Sequence, residues 1–98
     1  MKDNVLGFLG ILFRANKVLV GEAARLTNIG KMGFLAIDAS ETTKKEIHNL
    51  AKKLNIPLYE CYSKEELGDA LGYTEISFLV ITDKKAAQSI EKKRKEIE

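Results

Sequence analysis

Short apolar runs alternate with amphipathic stretches along this chain. From residue 34 to 83 the order is FLAIDAS, a lysine-rich amphipathic segment, NIPLYECYSKEELGDALG, and then ISFLVITD. Read by periodicity this is strand, helix, strand, helix, strand. That alternation predicts βαβ units and a mostly parallel sheet covered by helices. Residues 34–37 are too continuously apolar for a half-exposed strand, so a central, doubly covered position is expected. Residues 58–61 and 76–81 are expected to be the other two central strands, and 17–20 a shorter fourth.

The helices between them are read from spacing and caps. Val5, Phe8, Leu9, Leu12 and Phe13 recur at helical intervals behind Asp3 or Asn4 as a cap. Gly21 ends the first strand and a second helix covers 22–28, with Glu22 near its positive end. Gly30 is expected in a left-handed C-terminal cap. Ser40 caps a third helix that buries Ile47, Leu50, Ala51 and Leu54, turns Lys44, Lys45, Lys52 and Lys53 to water, and stops at Asn55 and Pro57. Ser63-Lys-Glu-Glu66 has the spacing of a capping box. Leu67, Ala70 and Leu71 face inward behind it, and Gly72 terminates. Gly68 costs that helix about 1 kcal/mol relative to alanine, which points to a close approach of neighbouring backbone. Asp83 caps a last helix through Ala86, Ala87 and Ile90 that runs into EKKRKEIE.

Length and composition fit one domain over residues 1–98, with 45% apolar and 31% charged residues. A single cysteine, Cys61, makes no internal disulfide and points to a reducing, cytoplasmic setting. The first apolar run is too short to span a bilayer and lacks the marks of a signal peptide. Sixteen Lys and Arg against fourteen Asp and Glu leave a net charge of +2, which does not by itself advertise a nucleic-acid partner.

Few residues carry chemistry. His48 has no second histidine or cysteine to share a metal and is expected at the surface. Cys61 has no base beside it and is expected to be a small structural residue. Asp38 ends a predicted strand, where open α/β sheets bind ligands, but it also precedes a helix start as a turn former would. No strand is followed by a glycine-rich phosphate loop. Gly21-Glu22-Ala-Ala-Arg25 is the most distinctive polar motif. It reads either as a turn glycine with exposed helix residues, or as a helix start presenting a carboxylate and a guanidinium to base edges or phosphates.

Several stretches are similar to a known family. LGILFRANKVLVGE at 9–22, IGK at 29–31, IDAS at 37–40, NIPLYECYSKEELGDALG at 55–72 and FLVITD at 78–83 resemble the ribosomal proteins called seven-Ae and thirty-e, in particular their small bacterial stand-alone YlxQ-like branch. The similarity covers nearly the whole chain. It implies a three-layer α-β-α sandwich with a four-stranded mixed sheet, and binding of kink-turn RNA, a sharply bent helix with tandem sheared G·A pairs. It implies no enzymatic activity and no cofactor or metal. The family grips RNA with the start of its second helix, where a glycine, a small residue, Asn-Glu and, two residues on, a lysine recur, and with the loop after its SK..LG..LG helix. Anchored on Gly30-Lys31, this motif places Gly21 at the asparagine, Glu22 at the glutamate and Arg25 at the lysine. Anchored on Gly21, the Asn-Glu pair would fall on Ala23-Ala24 instead. The chain is shorter between Gly21 and Asp38 than this family pattern.

The second contact loop maps to Tyr73, Thr74 and Glu75, where Glu75 would repel phosphate. The implied contact set is Lys17, Gly21, Glu22, Arg25, Lys31, Tyr73 and Thr74, with both lysines near phosphates and Tyr73 and Thr74 packed on a base. The expected partner is structured RNA, with ribosomal RNA among the candidates, with no membrane and no small-molecule substrate, and a monomer is the default. A protein-interaction module that has lost RNA binding is the rival, favoured by the missing asparagine, by Glu75 and by the near-neutral charge. A small-ligand site near Asp38 is a third reading.

Overall fold

A computed structural model describes the backbone of residues 4–97 and the side chains of residues 4–93. The elements are α1 (Asn4–Arg14), β1 (Val18–Val20), α2 (Gly21–Leu26), β2 (Met32–Ala36), α3 (Glu41–Leu54), β3 (Leu58–Tyr62), α4 (Lys64–Leu71), β4 (Phe78–Ile81) and α5 (Lys84–Ile97). The sheet order is β1-β4-β2-β3. β2 and β3 are parallel, whereas β4 is antiparallel to both β1 and β2. The sheet is therefore mixed, not mostly parallel, and β3 is an edge strand rather than a central one.

The reversal of β4 has a local cause. α4 leaves the end of β3 and descends eight residues, about 12 Å. In a regular βαβ unit the next strand would start from there. Here the segment 72–77 doubles back along α4: the Ile76 N–H donates to the Lys64 carbonyl (3.0 Å), and the backbone of Thr74 and Glu75 lies against Gly68. β4 thus enters at the end where β1, β2 and β3 finish, here called the upper end.

Strand pairing sorts the helices into two layers. Phe34 pairs with Leu79 and Met32 with Ile81, so these four share one face, and Leu35 pairs with Phe78 and Gly33 with Val80 on the other. Tyr59 leans on Phe34 at 5.6 Å between ring centroids, and its hydroxyl donates to Glu91 of α5 (3.2 Å). α1 packs against both α4 and α5, completing that layer. On the second face Arg25 of α2 lies over Phe78, and Leu54 of α3 approaches Gly30 beside Val80. The result is the three-layer α-β-α sandwich. All five residues of β2 and all four of β4 are buried. Each large apolar side chain so enclosed stabilises the fold by about 1.5–3 kcal/mol relative to exposure.

Helix ends follow local chemistry. The Ser40 hydroxyl accepts from Thr43 N–H (3.2 Å) at the start of α3, which ends on Asn55 at φ 56°. Ser63 and Glu66 form the full capping box, with bonds of 3.1 and 2.9 Å, and Gly72 closes α4 at φ 87°. Asp83 accepts from Ala86 N–H (2.9 Å) to cap α5.

Several expectations are corrected. α2 stops at Leu26, with Thr27 extended, and does not reach residue 28. Gly30 has no positive φ; it is buried, and a Cβ there would come within 2.6 Å of Val80 Cγ1, so packing rather than turning selects glycine. β2 begins earlier than expected and leaves Ile37 half exposed beyond it. Asn4 is already helical, and the Asp3 alternative for the cap lies outside the described residues.

Candidate functional site

β1 delivers the chain to α2 at the upper end. Gly21 makes the turn at φ 61°, and a Cβ there would meet nothing within 4 Å, so conformation and not space selects glycine. Glu22 and Arg25 follow on the exposed surface of α2. The Arg25 guanidinium is already engaged. Its Nε lies 3.5 Å from Glu46 Oε1 on α3, and its central carbon lies 5.4 Å from the centre of the Phe78 ring. Both partners of the ion pair are about half exposed, so the pair contributes on the order of 0–1 kcal/mol and is easily exchanged for a better acceptor.

The segment 72–77 starts at the C-terminal end of α4 and runs back along it, so that its last residues, Ile76 and Ser77, reach the same end of the sheet. Tyr73 N–H donates to the Gly68 carbonyl (2.8 Å), and its ring meets Phe13 of α1 edge-on at 5.7 Å while staying half exposed. Thr74 and Glu75 are exposed. The loop then enters β4, whose Leu79 pairs with Val20, next to where β1 hands over to α2. The structure thus brings Gly21, Glu22 and Arg25 to the end of the sheet where the 72–77 segment finishes, whereas Tyr73, at its start, lies beside Phe13 near the C-terminal end of α1.

Lys17 and Lys31 lie elsewhere. The Lys17 carbonyl accepts from Thr82 N–H (3.0 Å), and Lys31 N–H donates to the Ile81 carbonyl (2.7 Å). Both therefore flank the lower end of β4. Four residues of extended chain separate Lys17 from Gly21, about 13 Å. Gly21, Glu22 and Arg25 thus lie at one end of the sheet and Lys17 and Lys31 at the other, while Tyr73 and Thr74 belong to the segment that runs back along α4.

The remaining candidates are accounted for locally. Asp38 Oδ1 accepts from Lys64 N–H (2.8 Å), holding the start of α4, which is the turn-forming role. His48 is exposed and its Nε2 lies 3.0 Å from Glu60 Oε2, tying α3 to β3. Cys61 is exposed, not buried, because β3 sits at the sheet edge. Among the described residues no group of three or more His, Cys, Asp or Glu is placed to hold a metal, no polar or charged residue is buried, and no helix is long and apolar enough to cross a membrane.

Sequence spacing did not reveal Glu46, Phe78 or Phe13, which hold Arg25 and Tyr73 from other elements. One signal does stand in the sequence: Lys84 and Lys85 directly follow the Asp83 cap, at a helix start where cations are disfavoured.

Fold and surface define a small α-β-α sandwich that presents polar side chains at the ends of a mixed sheet. The chain belongs to the ribosomal protein L7Ae/L30e/S12e/Gadd45 family, whose sequence model matches residues 14–91. It is 28% identical over 97 aligned residues to an RNA-binding protein YlxQ of Enterococcus faecium, covering 92% of this chain and 94% of that one. Its fold matches that of a protein of unknown function from Bacillus halodurans with a TM-score of 0.83, at 24% identity, over 94% of this chain and 97% of the other.

Proposed function

We propose that this chain, acting as one unit over residues 1–98, is a non-catalytic RNA-binding protein that recognises kink-turn RNA in the cytoplasm as a monomer, in association with the ribosome. The observation that carries this reading is that the 72–77 segment finishes at the end of the sheet where the Gly21–Arg25 motif begins, in a chain of a ribosomal protein family. The name of the Enterococcus faecium relative supports RNA as the partner. In this reading Glu22 accepts from base amino groups, Arg25 forks onto a guanine edge or a phosphate, and Tyr73 and Thr74 pack on an unstacked base. A forked arginine–guanine contact discriminates by about 1–3 kcal/mol, more than the half-exposed pair with Glu46 returns, so RNA can take Arg25 from its present partner. The test is binding of the purified chain to a kink-turn RNA and to a straight duplex of equal length. Preference for the bent RNA supports the reading, and equal, weak binding to both contradicts it.

One specific observation favours the rival, a protein-interaction module. Arg25 is already matched to Glu46 and Phe78, and Glu75 places a negative charge on the contact loop. Weak, shape-blind RNA binding would support that alternative.

A further inference from the structure

The described charges are unevenly shared between the two ends. At the upper end six exposed acids, Glu22, Asp38, Glu41, Glu65, Glu66 and Glu75, outnumber Arg25 and Lys64. At the lower end stand Lys17, Lys31, Lys84 and Lys85, also exposed. Two backbone hydrogen bonds, Lys31 to Ile81 and Thr82 to Lys17, and the Asp83 side-chain cap that starts α5 at Lys84 bring these four lysines together around the end of β4. Lys31 and Lys84 line one open cleft of about 370 Å³ together with Asn55 and Gln88.

Helix dipoles explain part of this sorting and not the rest. Acids in the first turns of α2, α3 and α4 are where a dipole favours them, as are Arg14, Lys52 and Lys53 in the last turns of α1 and α3. Lys17 and Lys31 belong to no helix, and Lys84 and Lys85 open α5 with no acid in its first turn, against the dipole. The two acids nearby are occupied. Asp83 caps α5 and lies 3.8 Å from Lys17 Nζ, and Glu91, on the cleft wall, accepts from the Tyr59 hydroxyl.

We propose that this lower pole is a second RNA surface, which takes backbone phosphates of a duplex flanking the recognised bend without reading sequence. This rests on the RNA-binding reading above. Its rationale is charge complementarity: the upper end, where acids outnumber cations, can discriminate shape and bases but attracts the RNA backbone little beyond Arg25, and the net charge is only +2, so further attraction comes from a local concentration of cations. The two surfaces divide the work, the upper giving preference and the lower giving affinity and salt dependence.

The test uses the full chain, a kink-turn RNA and a straight duplex, each at two salt concentrations. The variant is Lys31→Gln/Lys84→Gln/Lys85→Gln. A control, Lys44→Gln/Lys45→Gln/Lys92→Gln, removes equal charge elsewhere, and unchanged thermal midpoints verify folding. At low salt the lower-pole variant should bind both RNAs at least about tenfold more weakly. Its salt slope should be shallower by roughly two to three, with the bent-to-straight preference unchanged. The control should lose much less. Equal losses in variant and control would overturn the proposal in favour of net charge alone. Wild type preferring bent RNA, with the lower-pole variant unaffected, overturns this proposal and leaves the functional reading standing. Loss in the variant without any preference for bent RNA in wild type supports the lower pole and overturns the kink-turn reading. No binding of either RNA overturns both. If the lysine changes instead abolish concentration-dependent sedimentation, the basic pole meets the acidic end of a second copy, and the RNA proposal falls.

Discussion

The Glu75 backbone lies directly on Gly68: a methyl group at Gly68 would sit 2.7 Å from Glu75 Cα and 2.8 Å from Glu75 N. No side chain is available to move aside, because the obstructing atoms are main chain. This approach lets the 72–77 segment double back, reverses β4, and brings the contact loop to the α2 end of the sheet. The packing of one glycine thereby couples the topology of the sheet to the geometry of the candidate site.

Gly68→Ala should therefore destabilise the chain although alanine favours helix by about 1 kcal/mol, because overpacking typically costs about 1–3 kcal/mol and the obstruction is rigid. Gly7→Ala is the control. Gly7 is exposed in α1 and an added Cβ meets nothing within 4 Å, so that change should stabilise by up to about 1 kcal/mol. Urea midpoints measure both, and a Gly68→Ala protein more stable than wild type would show that the Glu75 backbone does not constrain this position.

Ser63→Ala removes the hydroxyl that accepts from Glu66 N–H. A loss of about 1 kcal/mol is expected. Asp38→Ala should act on the same helix start, since Asp38 accepts from Lys64 N–H. Because the two sites share α4, their effects should not add, and a double-mutant cycle in denaturant checks this. Strict additivity would show that the two caps act independently.

Arg25 and Glu46 should shift RNA binding in opposite directions. Arg25→Ala should weaken kink-turn binding by roughly 1–3 kcal/mol. Glu46→Gln removes the competing carboxylate at 3.5 Å and should strengthen binding by a few tenths of a kcal/mol, with the gain confined to proteins that retain Arg25. Titrations of the two single variants and the double variant decide it. A Glu46→Gln gain that persists without Arg25 would mean general electrostatics rather than release of the guanidinium.

Glu75→Arg should raise RNA affinity by replacing a repelling charge with an attracting one on the contact loop, and the gain should shrink at high salt. A salt-independent gain would instead point to a direct contact by the new side chain.

The sequence was most informative where structure is decided within four residues. Ser40, Ser63 and Asp83 cap as their spacing predicts, and Asn55 and Gly72 close their helices in the left-handed conformation. The apolar centre of β2 was legible for the same reason. The edge position of β3 was not, because it depends on where β4 inserts, and that depends on a chain reversal whose only local mark is Gly68. Gly30 misled because a glycine selected for close packing against Val80 looks identical in sequence to one selected for a positive φ. For the site, the sequence supplied Gly21, Glu22 and Arg25 as neighbours. It could not supply the strand register that sends Lys17 and Lys31 to the far end, nor the long-range pairing of Arg25 with Glu46.

The most direct measurement is a map of backbone amide resonances as kink-turn RNA is added to the isotopically labelled chain. The largest shifts are expected at 21–26 and 72–77, with a second, salt-sensitive group around Lys31, Lys84 and Lys85. Straight duplex should move the second group alone. Shifts confined to the outer face of α3 or to the β3 edge, with both sheet ends silent, would contradict this expectation.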